Sequence, residues 1–316
     1  MELQTKLPLK PQQHNQIDYH SKIALFGSCF SEHITEKFKY YKFQQFDNPF
    51  GILFHPLAIE RLIVNAINDK HYTDDEIFFH NEQWHCFEVH SKLSRRSKEE
   101  LLNELNTQIK TTNAFLKEAS HIIITLGTAW TYRLIETDTF VANCHKVPQK
   151  KFLKELFSVE TITESLEAIV SLIKSINPEI SIVFTVSPVR HIKDGFVENT
   201  QSKSHLISAI HQVVEPRKQL YYFPSYEIML DELRDYRFYK DDMLHPNNLA
   251  IHYIWECFQK VWVSETANQT MQDVDYIQKG LEHRPFNPTS DAHQSFLQKL
   301  GDKQKHLHSK FNHIQF

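Results

Sequence analysis

Residues 23–34 read "IALFGSCFSEHI": an apolar run breaks at Gly27 into Ser28 and Cys29, and polar and apolar residues then recur at helical spacing. A short buried strand that hands over to an amphipathic helix is the repeating unit of a parallel sheet. Three more apolar runs, at 121–126, 180–186 and 220–223, read the same way. Between them, residues 98–119 gather Leu101, Leu102, Leu105, Ile109 and Phe115 largely on one face. Residues 163–176 do the same with Leu166, Ile169, Val170 and Ile173. Strand alternating with helix predicts an α/β fold whose mainly parallel sheet is covered on both sides.

The first 262 residues are expected to form this domain. They close on a helix after Asn247 that carries Ile251, Tyr253, Ile254, Trp255, Phe258, Val261 and Trp262. Residues 263–316 are polar and helical in pattern, with a break at "RPFNPTS", and are expected to be a helical appendage or a partner-binding arm.

Composition narrows the function classes. A net charge of -4 with scattered lysines and arginines leaves no basic field, so nucleic acid is not an expected partner. Residues 1–21 hold no apolar run of signal-peptide or membrane-spanning length, and a soluble, cytoplasmic protein is expected. The four cysteines, Cys29, Cys86, Cys144 and Cys257, form no CxxC pair, which argues against a disulfide framework or a zinc ribbon. Cys144 and His145 are adjacent, but no third ligand stands at metal-site spacing, so no metal is expected. Neither GxGxxG nor GxxxxGK[ST] occurs among the six glycines, so nucleotide-fold readings lose support.

In a parallel α/β sheet the functional crevice opens at the carboxyl ends of the strands. The residues there are Gly27, Ser28 and Cys29; then Gly127, Thr128 and Ala129; then 187–191; then the loop "YKDDMLHPN". That loop holds Asp242 and His245 at a DxxH spacing. A carboxylate three residues before a histidine can accept the imidazole N–H within one turn, which fixes the tautomer and leaves the other nitrogen as a base. Arg190, His191 and Lys203 are candidates for an anionic substrate or coenzyme A phosphates, against the plainer reading of solvated surface charge. His55 and His90 are candidate crevice walls or structural histidines.

"FGSCFSEHI" and "DDMLHPN" together resemble the GSCFA family, a branch of the SGNH (GDSL-like) hydrolases. "NPFG" at 48–51, "LGTAW" at 126–130, "ANCHK" at 142–146, "SPVRH" at 187–191 and Ser202-Lys203 extend the likeness over about residues 20–260. The resemblance implies a three-layer α/β/α fold with a flavodoxin-like sheet. It also implies an esterase or acyltransferase acting through a covalent acyl-enzyme on carbohydrate-linked or coenzyme A-linked acyl groups, without a bound cofactor. Cys29 stands where the superfamily's serine nucleophile belongs, with His245 as base and Asp242 as its orienter. Ser28 is the rival nucleophile, and a binding module that keeps the crevice is the non-catalytic alternative. Oxyanion donors would be the N–H groups of Cys29 and Gly51. The superfamily's third-block asparagine is absent, since the chain reads Gly127-Thr128-Ala129; Thr128 or Asn143 is a candidate replacement, and Asn143 reads equally well as a turn residue.

Overall fold

The computed structural model describes residues 5–316. Its elements run β1 (Lys22–Gly27), α1 (Cys29–Tyr40), β2 (Gln44–Asp47), α2 (Pro56–Ile67), β3 (Phe78–His80), β4 (Gln83–His85), α3 (Lys98–Glu118) and β5 (His121–Leu126). There follow β6 (Trp130–Leu134), β7 (Thr139–Val141), β8 (Phe152–Leu156), α4 (Val159–Ile176), β9 (Ser181–Val186), α5 (Phe196–Val213) and β10 (Leu220–Tyr222). Last come the short α6 (Ser225–Glu227), α7 (Asn248–Trp262), α8 (Glu265–Glu282) and α9 (Asp291–Lys310).

The central sheet is β10-β9-β5-β1-β2, every pair parallel, which in chain order is the flavodoxin-like 2-1-3-4-5 arrangement. All residues of β5 and β9 are buried, because helices cover both faces. Alternation along a strand decides which layer each side chain enters. Ala24 and Phe26 join Ile122, Ile124, Ile182 and Phe184 under α2, α3, α4 and α5. Ile23 and Leu25 join Ile123 and Val183 under α1 and α7, where Phe38, Trp255, Phe258 and Trp262 pack. The expected three-layer α/β/α fold is thus the observed one.

Three features go beyond the expected elements. β2 is a half-buried edge strand of sequence QQFD, too short and polar to show in the hydropathy pattern. The β3–β4 hairpin and the antiparallel sheet β7-β6-β8 form small satellites on the main body. The C-terminal appendage is packed down: Met271, Val274, Ile277, Leu300, Leu307 and Ile314 share the core beneath α1 and α7. The Tyr40 hydroxyl donates to Asp275 at 2.8 Å across that junction. Among the described residues no helix is long and apolar enough to cross a membrane.

Gly27 ends β1 at φ 133°, and a Cβ there would stand 2.0 Å from the Thr125 carbonyl oxygen of β5. Gly27→Ala combines left-handed strain with a clash against backbone that cannot yield, so a loss of roughly 2 kcal/mol or more is expected in urea unfolding. A loss below a few tenths would show that the strand ends are not in this close contact.

Candidate active site

Five loops meet at the carboxyl edge of the sheet, and backbone hydrogen bonds fix their order. Leu53 N–H donates to the Gly27 carbonyl, Gly127 and Thr128 N–H to that of Phe54, Ser187 N–H to that of Leu126, and Arg190 N–H to that of Leu244. The residues that follow β1, β2, β5, β9 and β10 therefore share one rim.

Ser28 is the N-cap of α1, but its hydroxyl makes no capping bond and is buried without a partner. Cys29 opens the helix and is partly exposed. The N–H groups of Cys29 and Phe30, unpaired in the first turn, face the thiol and pull its pKa down, and Lys203 does so more strongly. Burial outweighs all three and, with Glu32, leaves the thiol above its ordinary value. Glu32 is itself paired with Lys92.

In the loop after β10, Asp242 accepts from three donors. Leu244 N–H and His245 N–H reach one carboxylate oxygen at 2.8 and 3.0 Å, and His245 Nδ1 stands 2.7 Å from the other. These bonds hold the Asp242 carboxyl down at about 2, with the backbone donors dominant. With Nδ1–H given to Asp242, Nε2 is the nitrogen free to act as base. The loop is anchored by Lys240 N–H to the His245 carbonyl at 2.8 Å and Asn247 N–H to that of Phe238 at 2.9 Å.

Lys203 departs from its expected place among anion-binding surface groups. It lies on the apolar stripe of α5 with Leu206 and Ile210 and is 1% exposed. Its Nζ donates to the carbonyls of Gly127 and Ser187, each at 2.7 Å, tying β5 to β9. Burial brings it down to about 7. Its i, i+3, i+7 spacing with Leu206 and Ile210 is the sequence signal for that burial.

Gly51 sits at φ 72° with its missing Cβ against His90, and its N–H already donates to the Asn48 carbonyl at 2.8 Å. The Thr128 hydroxyl accepts from Trp130 N–H and meets the Ser202 hydroxyl at 3.0 Å, while Ser202 takes Ala129 N–H at 2.7 Å. Ser202 therefore closes the turn at the third block, a role the sequence reading did not assign. Asn143 accepts from His145 N–H at 2.8 Å, as a turn residue does. Arg190 stacks over Tyr239 at 4.5 Å. The His191 ring packs edge-on against Phe54 at 5.7 Å, and its Nε2 is buried without a partner.

Beside the rim lies a cleft of about 550 Å³ under the β6–β8 satellite, lined by Phe54, Thr128, Trp130, Asn143, His191 and Lys193 among others. His55 and His145 border it as structural residues, through Nε2 contacts to the Val141 and Cys86 carbonyls. Among the described residues no group of three or more His, Cys, Asp or Glu is placed to hold a metal ion.

The model of the GSCFA family matches residues 22–258, and that of the GSCFA C-terminal domain matches residues 274–316. No curated protein matches. Similar solved structures include a carbohydrate esterase family 3 protein from Talaromyces cellulolyticus, at 9% identity over 80% of this chain and 99% of that one, with a TM-score of 0.37. An acetyl esterase mutant with acetate ion gives the same values.

Burial holds His55 and His145 down at about 4 and His191 at about 3. The unfolded chain protonates these imidazoles near ~6.5, the folded chain far lower. The stability they carry is full above that value and is lost as pH falls, by about 1.4 kcal/mol per pH unit for each. Urea unfolding at pH 7 and pH 5 should show a marked drop in midpoint; an unchanged midpoint would mean these imidazoles are not buried neutral.

Proposed function

We propose that this chain, which belongs to the GSCFA family, is an acyl-group esterase or acyltransferase working through a covalent acyl-enzyme on Cys29. The observation that carries the reading is the Asp242–His245 pair, aligned at 2.7 Å and set on the same sheet rim as a partly exposed thiol at a helix N-terminus. His245 Nε2 takes the thiol proton, and the sulfur attacks the acyl carbonyl carbon. The bond to the leaving oxygen or sulfur then breaks, and the imidazolium returns the proton to that atom. Water or an acceptor hydroxyl next attacks the thioester, gives its proton to Nε2, and releases the acid or new ester; the Cys29 sulfur regains a proton from the imidazolium.

Asp242 holds the imidazole in the productive tautomer and stabilises its charged form. Cys29 is preferred over Ser28 because the serine hydroxyl is fully buried and the thiol is not. In the SGNH reading the substrate is a carbohydrate-linked or coenzyme A-linked acyl group. The adjacent cleft offers Trp130 and Tyr132 for a sugar face, and Lys146 and Lys193 for phosphates. The four unpaired cysteines fit a reducing, cytoplasmic setting.

The full-length protein is incubated with p-nitrophenyl acetate or acetyl-coenzyme A and its peptides are weighed. An acyl adduct is expected on the Cys29 peptide, at the thiol, and none in Cys29→Ala. Asp242→Asn should cut turnover by roughly 10²–10⁴-fold and Asp241→Asn by far less. An adduct on Ser28 would move the nucleophile. No adduct, with no turnover to lose, would leave a binding module.

A further inference from the structure

Arg190 lies in the loop after β9, where its N–H donates to the Leu244 carbonyl at 3.2 Å, one residue before the histidine of the Asp242–His245 pair. Its guanidinium rests in a notch between two tyrosine rings, 4.5 Å from the centroid of Tyr239 and 5.7 Å from that of Tyr236. Tyr239 is bridged through its backbone to Pro246, the residue after His245. Ring contacts of this kind hold a guanidinium flat and leave its N–H edge free for an oxyanion.

That edge is underused. Burial pushes the Tyr239 hydroxyl up, and Arg190 draws it back by charge and one hydrogen bond. Among the described residues no carboxylate stands within ion-pair range of Arg190. The other arginines without one, Arg96, Arg217, Arg234 and Arg284, are exposed, whereas Arg190 is half-buried. Its guanidinium borders a cavity of about 360 Å³, one wall of which is the π-turn Ile228–Glu232, with Leu233 N–H on the Ile228 carbonyl at 3.0 Å. Such turns are rare and recur at functional sites. Arg190, Arg234, Asp231 and Asp235 are the charged residues that line this cavity. Asp235 is held by Arg237 at 3.0 Å, so Asp231 alone opposes two guanidinium groups.

We infer that Arg190 is an anion-recognition group of the rim, which binds a phosphate or carboxylate carried by the substrate beside the Asp242–His245 pair. The inference rests on the acyl-transfer reading for what carries the anion. Arg190 and His191 are adjacent but line different cavities, so one molecule at the rim can lay its acyl part in the cleft and its charge against Arg190. The stacked fork can grip two oxygens of that group at once, which orients the molecule as well as holding it.

The test is the thermal unfolding midpoint of the full chain in sodium phosphate or sodium glucuronate, against sodium chloride at equal ionic strength. A bound anion at about tenfold over its Kd should raise the wild-type midpoint by roughly 2 °C. In Arg190→Met that rise should vanish. A rise with phosphate alone supports the inference and names a phosphate ester; a rise with glucuronate alone supports it and names a uronic acid. Neither anion exceeding chloride overturns the inference, and so does a rise undiminished in Arg190→Met.

If Arg190→Met does not fold, Asp231→Asn carries the test. Removing the one opposing carboxylate should enlarge the rise, and an unchanged rise overturns the inference. Midpoints read binding and not turnover. A rise that depends on Arg190 without an acyl adduct on Cys29 keeps the anion site and removes the enzyme; an adduct with no such rise does the reverse.

Discussion

The close approach of β1 to β5 at Gly27 is the constraint on which the rim depends. With no Cβ in the way, the Gly27 carbonyl accepts from Leu53 N–H while its own N–H donates to the Asn48 side chain at 2.9 Å. One residue thereby sets the spacing of the first two loops and turns the chain into α1 with Cys29 at its first position. Ser28 N–H donates to the Thr125 carbonyl at 3.0 Å, which fixes the same turn to β5. Any side chain at Gly27 would push these apart, and the thiol would leave the edge where the Asp242–His245 loop arrives.

The helix end and the burial of Cys29 pull in opposite directions, and their sizes decide the outcome. A helix N-terminus favours a thiolate by a modest amount that is largest in water-poor surroundings. Those same surroundings charge a larger penalty for the anion itself, and here the penalty wins. A thiolate at this position needs a cation that burial has not neutralised away. Lys203 favours the thiolate, but burial brings the amine itself down to about 7, so it supplies little positive charge where the thiol would ionise.

Legibility in the sequence tracked burial and length. β5 matches its apolar run residue for residue, and β1, β9 and β10 lie within one residue of theirs, because strands covered on both faces read as continuous apolar runs. β2, β3, β4, β6, β7 and β8 were not legible, since three to five partly exposed residues leave almost no pattern. In the site, the Asp242–His245 contact follows from spacing within one turn, whereas the burial of Lys203 follows from tertiary packing. Its place on the apolar stripe with Leu206 and Ile210 was the one sequence signal of that burial, and the partners that accept its hydrogen bonds come from strand ends far along the chain. The engagement of the Gly51 N–H by Asn48, which leaves that donor spent in a turn, is likewise a matter of loop conformation that no residue pattern announces.

The two halves of the site differ in wetness, and this shapes what a substrate must do. Asp242 and His245 are 44% and 38% exposed in their side chains, so their attraction is screened in the free protein. Cys29 and Lys203 sit in low dielectric, where a charge once formed interacts strongly and is costly to create. An acyl group lying against Phe54 and His191, at the mouth of the adjoining cleft, would cover the imidazole and expel water from its contact with Asp242. Both halves would then work in the same medium, and the imidazolium would become a better partner for sulfur as the proton moves. An acyl group so placed would tighten the electrostatics around a thiol that burial holds toward its protonated form in the free protein.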